Sequence, residues 1–313
     1  MQRSGQRSGS DGGDPCDAPP VALAADDAMP TAASAGLLLV STPIGNLGDM
    51  TARAAAALAD AELVLCEDTR HSARLLRSLG VGTRTEALHE HNEERRIPAL
   101  IERLRAGARI ALISDAGTPL VSDPGFRLVR AAIAAGVPVS ALPGANAAVT
   151  ALVLSGLPPL PFLVLGFPPP RQAARLAQFA RLRAAERAGL DATLIFYEAP
   201  HRLAETLADM ATIFGSRPAA VARELTKRFE EVRRGRLDEL AAHYAAHAAR
   251  GEICIVVGPP EAEATDAVTL DEQLRAALAA NSVRDAAALV TAATGLPRKQ
   301  VYARALELAN EKS

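Results

Sequence analysis

Residues 112–125, Leu-Ile-Ser-Asp-Ala-Gly-Thr-Pro-Leu-Val-Ser-Asp-Pro-Gly, hold the densest set of groups able to meet a ligand. Asp115 and Asp123 offer two carboxylates, Gly117 lets backbone come close to a bound molecule, and Pro119 and Pro124 stiffen the path. The apolar run 109–113 ahead of them predicts a buried strand, and Phe126, Leu128, Val129 and Ile133 behind them predict a helix. Such connections usually take about 2–6 residues. This longer one, made of turn-forming residues, marks a strand's carboxyl end, where open parallel α/β sheets bind ligands. The plain alternative is an ordinary strand-to-helix connection. A second loaded stretch is His89-Glu-His-Asn-Glu93. On a strand its two histidines and Glu93 would share a face and could meet a metal. No further ligands follow at zinc-site spacing, so a polar loop without metal is expected. Cys16, Cys66 and Cys254 share no such spacing either, and the latter two lie in or beside apolar runs, which points to a reducing compartment without disulfides.

Several elements must position these groups. Residues 1–35, rich in Gly, Ser, Asp, Pro and Ala, predict a disordered extension. Strand, loop and helix then alternate four times between Leu37 and Leu154, which predicts a parallel sheet covered on both faces. In that domain, 36–155, the strand ends carry loops 41–49, 67–71, 114–125 and 143–147; Thr51 or Asp49 is the expected cap of the first helix, and a helix is expected over 97–105. The turn cluster 156–159 opens a second α/β domain, 156–260, whose loops 197–202, 223–228 and 258–259 would face the first set. A polar linker leads to a helical appendage, 268–313, with a Gly-containing turn resembling a helix-turn-helix. The fold class expected is α/β, with two such domains and a ligand cleft between them.

Composition narrows the function. A chain of 313 residues that is 49% hydrophobic has material for about two domains, and a net charge of −2 confines any nucleic-acid surface to local patches. No run of 18 or more apolar residues is present and no apolar stretch directly follows Arg3 and Arg7, so neither a membrane helix nor a secretory signal is expected, and the location expected is cytoplasmic. Glycines 45 and 48 make neither a dinucleotide fingerprint nor a P-loop. Loops rich in Gly, Pro and Ala, with few cations, suit a nucleoside-like or amino-acid-like ligand better than a triphosphate.

Seven motifs, in order, carry a resemblance: Val-Ser-Thr-Pro-Ile-Gly-Asn-Leu-Gly-Asp (40–49), Cys-Glu-Asp-Thr-Arg-His (66–71), His-Glu-His-Asn-Glu (89–93), Ile-Ser-Asp-Ala-Gly-Thr-Pro-Leu-Val-Ser-Asp-Pro-Gly (113–125), Leu-Pro-Gly-Ala-Asn (142–146), Phe-Tyr-Glu-Ala-Pro-His-Arg (196–202) and Arg-Glu-Leu-Thr-Lys (223–227). From Leu37 onward the chain resembles the ribosomal RNA small subunit methyltransferase I family of the tetrapyrrole methylase (class III) superfamily. The resemblance implies S-adenosylmethionine as methyl donor. It implies transfer to the ribose 2′-hydroxyl of a cytidine in the decoding region of 16S rRNA, within the 30S subunit, by a homodimer. It also implies donor contacts at Pro43, at Asp115, Ala116, Gly117 and Thr118, at Ala145 and Asn146, and at Tyr197 and Pro259. The central loop reads Ser-Asp-Ala where many relatives have Gly-Asp-Pro.

A ribose hydroxyl needs its proton removed, which a base accelerates by about 10²–10⁴-fold. Glu67, Asp68 and Lys227 are the leading candidates for base or orienting group, with His71 and Glu198 beside them; Lys227 would serve if desolvation lowered its pKa. The plain alternative for Asp68, Glu198 and Lys227 is an ion pair, with Arg70, Arg202 and Glu230 respectively. RNA would be held through phosphates by Arg70, Arg171, Arg175, Arg202 and Arg228. Two basic stretches stand out, 171–187 with net +4 and 223–236 with net +3, each of which could equally be a solvated helix face. With no Trp and only three Tyr, shape recognition of assembled RNA is more plausible than reading a long single strand. The rival readings are a related methyltransferase for a tetrapyrrole or protein, and a non-catalytic ribosome-assembly factor of the same fold.

Overall fold

A computed structural model of the chain describes residues 35–261, 267–294 and 296–311. The expected extension and Cys16 lie outside the described residues. The first unit runs β1 (Gly36–Val40), α1 (Ala52–Asp60), β2 (Leu63–Cys66), α2 (Thr69–Ser78), β3 (Thr85–Ala87), α3 (Glu90–Arg105), β4 (Arg109–Ile113), α4 (Phe126–Ala134), β5 (Val139–Leu142) and α5 (Ala147–Ser155). Its five strands are all parallel, in the order β3-β2-β4-β1-β5. Alternate residues of the central strands feed opposite cores. Leu63, Leu65, Ile110 and Leu112 pack with Leu100, Leu104 and Leu128 of α3 and α4. Val64, Cys66, Ala111 and Ile113 pack with Ala54, Leu58 and Leu76 of α1 and α2. Both faces are therefore buried, which is why these strands are apolar without alternation.

The second unit runs β6 (Phe162–Val164), α6 (Gln172–Arg187), β7 (Thr193–Glu198), α7 (Leu203–Phe214), β8 (Pro218–Arg223), β9 (Glu231–Arg236), α8 (Leu237–Ala246) and β10 (Ile253–Val257). Its order is β6-β7-β10-β8-β9, with only β6 and β7 parallel. One face carries α6, α7 and α8 through Phe179, Leu207, Met210 and Leu240. The other face is covered by α5, whose Ala148, Ala151 and Leu152 pack on Ile195, Ala220 and Val256. The last helix of the first unit is thus the second sheet's cover. Three further helices, α9 (Ala267–Leu278), α10 (Val283–Thr294) and α11 (Arg298–Asn310), close around their own core of Leu274, Val290, Val301 and Leu308.

Helix ends follow cap chemistry. Thr51, rather than Asp49, accepts from the Ala54 amide and starts α1; Asp68 accepts from Arg70 for α2; Asn146 accepts from Val149 for α5. The stretch 89–93 is neither strand nor loop. His89 is the N-cap of α3, which begins at Glu90 rather than at residue 97, and its partner in the cap is Asn92. Glu93 is buried and accepts the Leu128 amide at 2.9 Å. It supplies the acceptor that Gly125, the N-cap of α4, lacks. No group of three or more His, Cys, Asp or Glu is arranged for a metal among the described residues, and none of their helices is long and apolar enough to cross a membrane.

Candidate active site

Three loops at the carboxyl ends of the parallel strands are tied to one another. Thr42 and Gly117 exchange backbone hydrogen bonds at 2.8 and 3.1 Å, and the Thr42 hydroxyl donates to the Ser114 carbonyl at 3.2 Å. The Ser114 hydroxyl donates to the Gly117 carbonyl at 2.9 Å, holding the turn closed. Thr118 donates to the Ala145 carbonyl, and the Asn146 amide donates to the Thr118 hydroxyl at 3.2 Å. The central loop is held tightly enough to keep Leu120 and Ser122 at φ 72° and 69°, a conformation unfavourable for residues bearing a Cβ.

These loops and the facing edge of the second sheet enclose a cavity of about 350 Å³. The first unit contributes Ile44, Asp115, Ala116, Gly117, Thr118, Asp123 and Asn146; the second contributes Phe167, Tyr197, Glu198, Leu225, Glu252 and Cys254. Phe167 and Tyr197 stand with ring centres 5.5 Å apart. Burial pushes the Tyr197 phenol and the Cys254 thiol each to about 12, so both are neutral at pH 7. Burial, then the charges of Glu67 and Asp115, push Asp123 to about 6. What charge the wall carries is carboxylate, which favours a ligand with a positive centre.

A second cavity of about 320 Å³ adjoins the first and shares Ile44, Asp115, Ala116 and Glu252 with it. It is completed by Pro43, Gly45 and Leu47, by His71, Arg74, Leu75 and Ser78 of α2, and by Lys227. The Lys227 ammonium donates to Glu224 at 2.8 Å and to Glu252 at 3.2 Å. Gly45 makes room for this arm: a Cβ there would stand 2.4 Å from Lys227 Cγ.

The candidate residues separate accordingly. Asp115, Ala116, Gly117, Thr118, Asn146 and Tyr197 line the first cavity, whereas Pro43 lines the second. Ala145 backs the first cavity through its carbonyl. Pro259 does not join them. Because β10 runs antiparallel to its neighbours, its start at Glu252 faces the cavity and its end lies at the opposite edge, where Gly258 bonds to Pro218. Among the base candidates, Glu198 is buried and accepts from Arg202, Thr206 and the Ala199 amide. Hydrogen bonds from Arg70 hold the Asp68 carboxyl at about 2. Burial pulls the Lys227 pKa down, but its bonds to Glu224 and Glu252 outweigh that and raise it, so it stays an ammonium rather than a base. Its partners are these two residues, not Glu230, which accepts from the Thr226 amide. Glu67 is exposed at the end of β2.

Among the RNA candidates, Arg70, Arg171 and Arg228 are exposed, the last over the Phe229 ring. Arg175 is 1% exposed and spends its charge on Asp209. Arg202 turns inward to Glu198 and the Pro168 carbonyl. Neither is available to a phosphate. The stretch 223–236 is not a helix: it is the end of β8, a turn, and the edge strand β9. Glu252 escaped the sequence reading, since attention to strand carboxyl ends overlooks a residue just before an antiparallel strand; Ile44 and Phe167 escaped it as apolar residues with no polar group to mark them.

The pattern described as "Tetrapyrrole (Corrin/Porphyrin) Methylases" matches residues 36–241, and that of an "RsmI C-terminal HTH domain" matches residues 263–309. A ribosomal RNA small subunit methyltransferase I from Micromonospora olivasterospora is 49% identical over 290 residues, covering 90% of both chains. One from Mesorhizobium japonicum is 48% identical, covering 87% of this chain and 92% of the relative. Among solved structures, diphthine synthase matches with TM-score 0.54 at 17% identity, covering 71% of this chain and 90% of that one. The methyltransferase CobJ matches with TM-score 0.53 at 21% identity, covering 72% and 95%. These structural likenesses show the fold.

Proposed function

Because the chain belongs to the ribosomal RNA small subunit methyltransferase I family of the tetrapyrrole methylase fold, we propose that it methylates the ribose 2′-hydroxyl of a cytidine in the decoding region of 16S rRNA. The single observation that carries the reading is the pair of adjoining cavities at the carboxyl ends of the first sheet, one of them walled by carboxylates. S-adenosylmethionine, when bound, supplies an electrophilic methyl group on a positively charged sulfur. The residues present fit it. At Gly117, φ +80°, backbone forms the wall, and an added Cβ would meet Ile44 Cγ2 at 3.2 Å. Aromatic rings and carboxylates stand opposite.

Asp115, Ala116, Gly117, Thr118, Asn146 and Tyr197 would hold the donor, with Ala145 behind them and Pro43 on the acceptor side. Asp115 also accepts the Asp68 amide at 3.4 Å, so the loop that holds the donor fixes the start of α2. Holding two reactants in line removes roughly 7–11 kcal/mol from a barrier, and the stitched loops supply that rigidity. Lys227, kept protonated, orients groups between the cavities, Asp68 sets α2, and Glu67 adds negative charge beside Asp123. Exposed Arg70, Arg171 and Arg228 would contact phosphates.

The substrate is the RNA within the 30S subunit, in the cytoplasm. The working form is a homodimer, supported by exposed Phe126 and Ile133 on α4, Val149 and Val153 on α5, and Leu163 and Val164 on edge strand β6. The test mixes the protein with methyl-labelled S-adenosylmethionine and unmethylated 30S subunits, with free 16S rRNA in parallel, and maps the label by nuclease digestion. Label on one ribose 2′-oxygen of 16S rRNA is the expected result. Donor binding without RNA label would move the substrate to another molecule, and loss of donor binding as well would leave a ribosome-binding protein without chemistry.

A further inference from the structure

We propose that the second cavity is the acceptor-nucleoside pocket, that His71 is the catalytic base, and that Arg74 grips a phosphate of the same RNA strand; this rests on the methyltransferase reading above. The cavity shares a wall with the donor cavity, as two reactants in one displacement require. Helix α2 presents His71, Arg74, Leu75 and Ser78 to it. These are residues i, i+3, i+4 and i+7 of one helical face.

Position singles out His71, the imidazole on the wall of the second cavity, whereas Asp123 lines only the donor cavity. Asp115 is engaged by the Asp68 amide, and Glu252 by Lys227. Asp68 is bound by Arg70, Glu198 by Arg202 and Thr206, and Glu67 lines neither cavity. The charged groups sharing the cavity with His71 are Arg74, Asp115, Lys227 and Glu252. The His71 ring has no hydrogen-bond partner and the Arg74 guanidinium no ion pair among the described residues. An imidazole is the side chain best matched to proton removal near neutral pH. A guanidinium with its fork free is matched to a phosphate. One helical turn separates the two.

The step balances. The 2′-O–H bond breaks and its proton passes to a ring nitrogen of His71. The oxygen's electron pair forms the new O–CH₃ bond while the donor's S–CH₃ bond breaks, its pair staying on sulfur. The sulfonium becomes a neutral thioether, and the imidazolium returns its proton to water.

The experiment uses the full chain, unmethylated 30S subunits and labelled S-adenosylmethionine, with donor affinity measured by calorimetry in every variant. His71→Ala and His71→Asn are expected to lower kcat by about 10²–10⁴-fold and to erase the acidic limb of the pH–rate profile, with donor Kd unchanged. Arg74→Ala is expected to raise KM for subunits about tenfold. It should also reduce the salt slope of donor-free subunit binding by about one, with partial recovery in Arg74→Lys. A His71→Ala enzyme within threefold of wild-type kcat overturns the base, and an Arg74→Ala protein with unchanged subunit binding overturns the phosphate grip. If wild type labels no RNA, the methyltransferase reading fails and takes this one with it. If wild type labels RNA and both variants match it, this inference fails alone.

Discussion

Asp123 shows how one buried carboxyl couples the cavity to pH. Its ordinary value is 3.8 and its folded value about 6, so the native state holds this proton more tightly than the unfolded chain does. The charged form therefore costs native stability above about pH 6, and the cost fades as pH falls toward the ordinary value. Asp123→Asn is expected to raise the Tm of the donor-free protein by roughly 2–6 °C at pH 8 and to converge on wild type near pH 4; thermal melts across that range would read this directly. Gly117 makes a second point at the same scale. Gly117→Ala places a Cβ at φ +80° and 3.2 Å from Ile44 Cγ2, at a cost of about 1–2 kcal/mol from the backbone alone. Gly136→Ala, at φ +69° with open space around it, bears a comparable backbone cost. Calorimetry should find donor affinity weakened in the first and unchanged in the second.

Helix α6 illustrates what an element hides. Its arginines spread over a basic stretch, yet Arg175 pairs with Asp209 inside the protein, its Nε donating at 2.7 Å, while Arg171 stays exposed at the helix start. Arg175→Ala strands a buried carboxylate and is expected to cost about 3–5 kcal/mol in denaturant unfolding. Arg171→Ala should leave stability within about 0.5 kcal/mol and weaken only subunit binding, more so at low salt. Sequence could place both on one helix but could not pair residues 175 and 209, because that contact belongs to the packing of α6 on α7. Strands β1, β2 and β4 of the first sheet were legible, since they are apolar and packed on both faces, and so was the loop that ends β4, where Gly, Pro and Asp mark a turn. Two strands were not. β3 is three residues long, and β9 is a charged edge strand whose Arg233 and Arg234 carry no apolar alternation. Strand direction in the second sheet was equally invisible, so Glu252 stayed out of view, while the family resemblance alone had pointed to Pro259. The helical start of α3 was masked by polar residues that serve as caps rather than as core.

The molecule as a whole combines two sheets that share a helix with a three-helix appendage holding its own core. Under the proposed homodimer, exposed apolar residues of α4, α5 and β6 are the candidates for cover by a second copy. Val153, 68% exposed on α5, is the sharpest test: Val153→Glu is expected to shift sedimentation from dimer toward monomer with the melting temperature of a dilute sample little changed. The shared helix has a kinetic consequence. Asn146 caps α5 and also grips Thr118 of the central loop, while the body of α5 lies on the second sheet. Swinging the sheets apart as rigid bodies would uncap a helix and strip Ala148, Ala151 and Leu152 from their seats. The two sheets are therefore expected to move as one body, and hydrogen exchange should find the amides of α5 among the slowest in the protein.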